Sequence, residues 1–463
     1  MNIPNFKRQQ CQLGKQTTIT LLAALFGFLT TFCLHNALTL AGETNLLNRQ
    51  AKGEHLIAQI SSDTAWRQTA AQNIEKYRKG DLTVVVTDAN GNPIPNADVR
   101  VAMKRHAYSF GSAIDDVLLL SSNNPDGERY RDNVLRLFNE AVSENGLKWD
   151  SWENLQLRPQ VLEALNWLKN RNLKVRGHSL IWPSWRSSPP ELETRYNNTL
   201  ALQGKAAADD FLRTRTISHI TEQVSYLRGQ LHDWDVVNEP CDNTDFQTIL
   251  GQSILVDWYK TADRADPNAV LYVNQNLYES DLKADEYESV IQYLLNNGAP
   301  LEGIGIEGHL IDNIPISIPK FISTLDRFAK FNLPIKITEF DAITGDKQLQ
   351  AEVMRDVMTA VFSHPATVGF LMWGFWDSKH WLNNAPIYDP NWNLKPSGQV
   401  YLDLVFNQWW TNTLGKTDAN GEYKVRGFLG DYEVTASKNF TSQTVSTTLS
   451  RDGRRLTISG IAS

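Results

Sequence analysis

Between Tyr108 and Trp410, eight short apolar segments alternate with stretches of helical periodicity. The strand-like segments are Ser109–Ile114, Ala141–Glu144, Lys174–Leu180, Asp233–Val237, Val270–Asn274, Gly303–Glu307, Ile335–Thr338 and Val368–Trp373. Helical patterns such as Pro159–Asn170, Tyr287–Leu295, Lys320–Lys330 and Leu349–Phe362 separate them. Apolar strands that alternate with helices form parallel sheets with right-handed crossovers. Eight repeats in about 300 residues fit a closed (β/α)8 barrel better than a doubly wound sheet. The expected fold class is therefore α/β, a (β/α)8 TIM barrel over residues 106–410 with a small accessory β-sandwich. Such a barrel carries its chemistry at the C-terminal ends of its strands.

The accessory part comes from the two flanks. Residues 81–105 read as an N-terminal β-hairpin, with strands at Leu82–Thr87 and Ala97–Met103 and turn residues Asn90, Gly91 and Pro93 between them. Residues 411–463 read as a C-terminal β domain punctuated by Asn420-Gly421 and Gly430-Asp431. The two flanks resemble the two halves of small prealbumin-like or carboxypeptidase-regulatory-like sandwiches. Neither half has enough strands to bury a face alone. One sandwich built from both ends, with the barrel inserted between them, is the expectation. Tyr423, Phe428, Tyr432 and Phe440 are expected in its core, and its role as a structural brace. Residues 42–80 read as a linker followed by a helix, Thr64–Arg78.

Residues 1–41 read as a signal peptide. Lys7, Arg8 and Lys15 precede an apolar stretch, Ile19 to Leu34, and the small residues Thr39 and Ala41 place the cut after Ala41. The expected location is secreted or periplasmic. The alternative is a membrane anchor, because the uncharged run Gln16–Gly42 is long enough to span a bilayer. Cleavage removes Cys11 and Cys33 and leaves Cys241, so neither a disulfide nor a cysteine metal site is expected. Cys241 reads as a small buried hydrophobe beside the site rather than a nucleophile. The formal charge of −7 argues against a nucleic-acid partner. Fourteen Trp residues supply flat apolar faces with a polar N–H, which suit sugar rings as well as cores.

Polar and aromatic residues gather where the barrel predicts them. Trp234–Pro240 ends in Asn238, Glu239 and Pro240, and Pro334–Asp341 carries Glu339. Glu144, Asn145, Lys148 and Trp149 follow the second strand, and His178 and Trp182 the third. Glu307 and His309 end the sixth, and Trp373, Trp376, Asp377 and Trp381 follow the eighth. Taken singly, a terminal Glu is usually a solvated charge and a lone His or Trp a core residue. Six such sets at one end of six strands are a different matter. Two carboxylates from the fourth and seventh strands face each other across the lumen, an arrangement suited to glycoside hydrolysis. A neighbouring carboxylate raises the pKa of the acid, and Asn238 is placed to reach a sugar 2-OH.

The chain resembles the family 10 glycoside hydrolases, endo-β-1,4-xylanases, over roughly residues 105–410. The motifs FGSAID (110–115), ENGLKW (144–149), GHSLIW (177–182), DVVNEP (235–240), GIGIEGH (303–309), ITEFD (337–341) and WGFWD (373–377) follow the family's order. The resemblance implies a retaining endo-1,4-β-xylanase with Glu239 as acid/base and Glu339 as nucleophile. It implies that His309 orients Glu339, and that Glu144, Asn145, Lys148, His178 and Asn238 line the sugar subsites on the non-reducing side. It implies that Trp182, Trp373 and Trp381 pack on the sugar at the cleavage point, that Asp235 supports them, and that Glu307 contributes to substrate binding. The chain departs from the common family pattern at Glu307, where Gln is usual, although a plant-like subset reads Glu. It departs again at Pro183, where His is usual, and at Asn274-Gln275-Asn276, where a Tyr is usual unless Tyr278 replaces it. These positions leave the glycan open. The alternatives are another β-1,4-linked plant or algal glycan, or an inactive glycan-binding protein. The expected partner is xylan, the expected state a monomer, with no cofactor and no metal.

Overall fold

The structure, a computed structural model, describes residues 65–277, 281–310 and 316–462. The signal-peptide and anchor readings, most of the linker, and Tyr278 lie outside the described residues. The described chain opens with the helix Ala65–Tyr77 and two strands, β1 (Lys79–Val86) and β2 (Asp98–His106). Eight strands follow: β3 (Ser109–Ile114), β4 (Glu140–Ser143), β5 (Lys174–Gly177), β6 (Asp233–Asn238), β7 (Val270–Asn276), β8 (Gly303–Leu310), β9 (Ile335–Ala342) and β10 (Thr367–Met372). They close into a barrel in the order β10-β3-β4-β5-β6-β7-β8-β9, every pair parallel. Helices such as Arg158–Lys169, Ile318–Ala329 and Lys347–Ser363 connect them. All eight strands match expected segments. The sixth and seventh run three and four residues longer than expected, because polar residues at their ends still ladder.

The barrel interior is layered. Near its N-terminal end, Arg176 donates to Asp233 at 2.9 Å and also binds Asp235, and Lys336 binds Glu140 and Asp233. All five are almost fully buried. Opposite charges from β4, β5, β6 and β9 thus satisfy one another where water is absent, the condition under which buried charges persist. Gly177 leaves room for Trp234, since a Cβ there would lie 2.2 Å from the indole. The upper layer is left to the site described below.

Five more strands close the chain: β11 (Asn412–Lys416), β12 (Glu422–Phe428), β13 (Gly430–Lys438), β14 (Thr441–Leu449) and β15 (Arg454–Ile458). They form two sheets with the N-terminal strands, β12-β1-β15 and β11-β2-β13-β14. The expected hairpin over 81–105 is therefore corrected. β1 pairs with β12 and β15, whereas β2 pairs with β11 and β13. Val84 and Val86 of β1 and Val99 and Val101 of β2 each bury one alternating face, and the two faces belong to different sheets. Phe428 and Tyr432 lie in the sandwich core as expected, while Tyr423 is half-buried. Phe440 is corrected too. It sits fully exposed at φ 64° in the turn between β13 and β14, where its backbone rather than its ring decides the position.

Barrel and sandwich are bolted together by Arg78, which follows the first helix. Its Nε donates to Phe362 O at 2.6 Å, and its Nη2 to His364 O at 2.6 Å and Thr367 O at 2.9 Å. The guanidinium also lies 4.8 Å from the Tyr108 ring. No helix among the described residues is long and apolar enough to cross a membrane.

Candidate active site

The C-terminal rim of the barrel gathers residues from β4 to β10. Glu239 follows β6 in a sharp turn at φ 48°, a region a non-glycine residue enters only under tertiary constraint. Its N–H donates to Asn274 O at 2.8 Å, and its carbonyl accepts from Asp242 and Asn243. The turn presents the carboxylate to Trp182 Nε1 at 3.0 Å and Asn243 Nδ2 at 2.9 Å, both donating to Oε2. Glu339 sits within β9 and is buried. Its Oε1 accepts from Asn274 Nδ2 at 3.0 Å, and its Oε2 lies 3.1 Å from His309 Nε2.

The two carboxylates sit in opposite environments. Burial, then the charge of Glu339, pushes Glu239 above the usual carboxylate range. Burial alone would raise Glu339 as well, but His178, the hydrogen bond and charge of His309, and Lys148 outweigh it and hold Glu339 below that range. His309 bridges Glu339 and Asp341, with Nδ1 2.9 Å from Asp341 Oδ2. Burial opposes its charge, yet the bonds to Asp341 and Glu339 prevail and lift it to about 10, so both ring nitrogens carry protons and donate. Trp381 Nε1 donates to the same Asp341 oxygen at 2.9 Å, which ties a half-exposed indole to the charge relay.

His178 Nδ1 lies 2.9 Å from Asp235 Oδ2 and 3.7 Å from Glu339 Oε1. Asp235 is the ligand of Arg176, so the buried charge network beneath connects to the rim. Trp373 is buried edge-on to His178, ring centroids 5.0 Å apart. Lys148 donates to Asn145 Oδ1 at 2.8 Å and lies 5.5 Å from the Trp182 ring. Burial pushes Glu144 up, with Lys148 opposing. Asn145 is exposed and Glu144 half-buried at the same edge. The residues named above thus share one rim, with Asp235 in the charged layer beneath it, whereas Trp149 stacks on His219, Trp376 stacks on Trp392 and Asp377 pairs with Lys395.

Asn274, noted from the sequence only as part of a departure from the family pattern, is the junction of the site. Its Nδ2 reaches Asn238 Oδ1 at 2.9 Å, Glu307 Oε1 at 2.9 Å and Glu339 Oε1 at 3.0 Å, while its Oδ1 accepts from Thr338 Oγ1 at 2.6 Å. The available signal was its place at the end of the fifth barrel segment, one strand from Glu239. Asp341 was likewise present in a motif without an assigned part. Gln275 takes the neighbouring place, accepting from Cys241 N at 3.0 Å and donating to Asp242. Burial pushes the Cys241 thiol up to about 12, so it carries almost no thiolate at neutral pH.

Glu307, His309 and Glu339 offer ligand atoms within 4.8 Å of one another. A cation there would have to displace the His309 proton that now binds Glu339. The arrangement suits proton transfer better: one carboxyl raised in pKa, one lowered, aromatic walls, and hydrogen-bond donors at fixed places.

Residues 99–403 match the family model described as glycosyl hydrolase family 10. The chain is 31% identical over 383 residues to the anti-sigma-I factor RsgI6 of Acetivibrio thermocellus, covering 81% of this chain and 47% of that protein. It is 29% identical over 380 residues to endo-1,4-beta-xylanase 1 of Arabidopsis thaliana, covering 81% of this chain and 38% of that protein. The chain thus spans less than half the length of these two relatives. Against endo-1,4-beta-xylanase B of Thermotoga neapolitana it is 30% identical over 316 residues, 61% of this chain and 84% of the relative. Among solved structures, native xylanase 10B from Thermotoga maritima superposes with a TM-score of 0.57 at 25% identity, over 65% of this chain and 96% of that one.

Proposed function

The chain belongs to glycosyl hydrolase family 10, and from that premise we propose that it is a retaining endo-1,4-β-xylanase. The observation that carries the reading is the opposed pair: Glu239 raised, Glu339 lowered, on strands that face each other. Environments that push two carboxyl groups apart in pKa assign acid and nucleophile. Glu239 gives its proton to the glycosidic oxygen as the bond to the anomeric carbon breaks. Glu339 forms a bond to that carbon, giving a glycosyl–enzyme ester. Water then attacks the carbon, loses its proton to the Glu239 carboxylate, and releases Glu339. His309 orients Glu339 through the 3.1 Å contact. Trp182, Trp373 and Trp381 are placed to pack on sugar rings, and Asn238, His178, Lys148, Asn145 and Glu144 to bind hydroxyls along one side. Export through residues 1–41 belongs to the same proposal and rests on the N-terminal pattern alone.

The test is release of new reducing ends from soluble xylan, a cellulose derivative and mixed-linkage glucan. Glu239→Ala and Glu339→Ala should each lower the rate on the order of 10³-fold or more. Activity confined to another glycan would keep the mechanism and move the substrate. A second reading, a glycan-binding part of a regulatory protein, is favoured by one observation: 81% of the chain aligns with a protein named as an anti-sigma factor. It predicts xylan binding without turnover.

A further inference from the structure

Glu307 places a third carboxyl group among the two already described, and the one cation beside it, His309, is shared with Glu339 and Asp341. It lies within β8 at 1% exposure, and β8 pairs it with Glu339 on one side and Asn276 on the other. Its Oε1 accepts from Asn274 Nδ2 at 2.9 Å. That amide carries two hydrogens and faces three oxygen atoms, so at most two of the three are served at once. Its Oε2 meets no N–H or hydroxyl donor, and the carboxyl group is hydrogen-bonded to the Glu239 carboxyl, a contact that needs a proton on one of the two.

The groups around it offer no positive charge of its own. From the β6 side come Glu239 and, deeper, Asp235. From β9 comes Glu339, and from β7 the neutral Asn274. From the outer helix comes Tyr287, whose hydroxyl is spent on Val273 O and Gly305 O. His309, on the same strand, is the nearest cation, with Nε2 3.8 Å from Glu307 Oε2. Its two protons already bind Glu339 and Asp341. Two buried carboxyl groups in contact, one of them with only a shared amide on its other oxygen, hold a proton rather than two charges.

We propose that Glu307 is a positioning residue that works as a neutral carboxylic acid, its Oε1 anchoring Asn274 against Glu339 and its Oε2 retaining the proton. Burial, then the charge of Glu339, hold Glu307 well above the ordinary carboxylate range. A neutral Glu307 lets Glu339 remain the single anion beside Asn274. An ionised one would repel Glu339 and compete for its amide donor. The service to Glu339 as nucleophile rests on the function proposed above; the protonation of Glu307 does not.

The test is the infrared difference spectrum between the full-length protein and Glu307→Gln at pH 7, which needs no turnover. The expected result is the loss of one protonated-carboxyl carbonyl band in the variant, with carboxylate bands unchanged. Loss of carboxylate bands instead overturns the proposal. Positioning is read from kcat/KM on xylan: Glu307→Leu, which offers Asn274 no acceptor, should fall at least about 10-fold below Glu307→Gln at equal thermal stability. Equal values overturn the positioning role. The alkaline limb of the pH profile should coincide in wild type and Glu307→Gln. A limb displaced to lower pH in the variant would mean that Glu307 is a charge in the working protein. Failure of turnover with a positive infrared result would sink the proposed reaction and leave the protonation standing.

Discussion

Asn274 Nδ2 lies 3.0 Å from Glu339 Oε1 and, on its other sides, 2.9 Å from Glu307 Oε1 and Asn238 Oδ1. One amide on β7 therefore fixes residues of β6, β8 and β9 relative to one another. Asn274→Ala is expected to lower kcat by about 10–100-fold, since a hydrogen bond to a charged group contributes about 1.5–3 kcal/mol. The Thr338 hydroxyl would lose its acceptor at the same time. Urea denaturation should show about 1–3 kcal/mol of lost stability. An unchanged midpoint would mean that water replaces the amide without cost.

With Glu239 and Glu339 in the roles proposed above, the pH profile of kcat/KM should be bell-shaped, with both limbs displaced outward. Glu339 must be ionised, so activity is lost as pH falls through its lowered pKa, below the ordinary value of 4.5. Glu239 must be protonated, so activity is lost as pH rises through its raised pKa. The two interact, so the limbs report the pair. Steady-state rates on soluble xylan across the acid and alkaline ranges check this, and an acid limb above 4.5 contradicts it.

His309 links stability to pH in one direction. Its folded-state pKa rises from 6.5 to about 10. The folded protein therefore holds this proton more tightly than the unfolded chain. The resulting stability is fully present below pH 6.5 and is lost as pH rises through about 10. Thermal denaturation of wild type and His309→Gln at pH 6, 8 and 10 should show the difference between them shrinking with pH. A constant gap would show that His309 is neutral in the folded protein.

Arg78→Ala removes the guanidinium donors from the buried carbonyls of Phe362, His364 and Thr367, of which His364 O keeps the Thr367 N–H and hydroxyl. A loss of about 3 kcal/mol or more is expected, because each unsatisfied buried acceptor costs on the order of 1 kcal/mol and ring packing is lost as well. The denaturation midpoint measures it. Arg78→Lys should recover little, since one ammonium cannot span the three carbonyls. Full recovery would count against the guanidinium fork.

Cys241 should resist alkylation. With its thiol near 12, the thiolate fraction at pH 8 is on the order of 10³-fold below that of an ordinary cysteine. Mass spectrometry of the Cys241 peptide after iodoacetamide treatment of native protein measures this. Rapid labelling would restore the thiol as a reactive group.

The barrel and its two principal carboxylates were legible because their signals are local. Ser109–Ile114 or Ile335–Ala342 is apolar over its own length, and a parallel barrel exposes functional groups at strand ends whatever lies elsewhere. Glu239 and Glu339 could be placed on one rim by counting strands. The flanks were legible in strand content but not in pairing. Val84 pairs with Tyr423, and Val101 with Val434, across more than three hundred residues of intervening barrel. The Asn90-Gly91 turn signal favours a hairpin, and the burial of two faces in two sheets overrides it. Phe440 shows the same limit, its ring placed outward by a turn that pairs Lys438 with Thr441. The rest of the site belonged to tertiary structure alone. That Asn274 would touch four side chains, that Asp341 would charge His309, and that Glu307 would meet two other carboxyl groups depend on which atoms meet in the lumen. The sequence determined which residue types stand at which strand ends, because hydrophobic period and strand count are properties of the chain. The closed barrel decided which of them are neutral and which are charged, because burial and neighbouring charge exist only after distant strands have met.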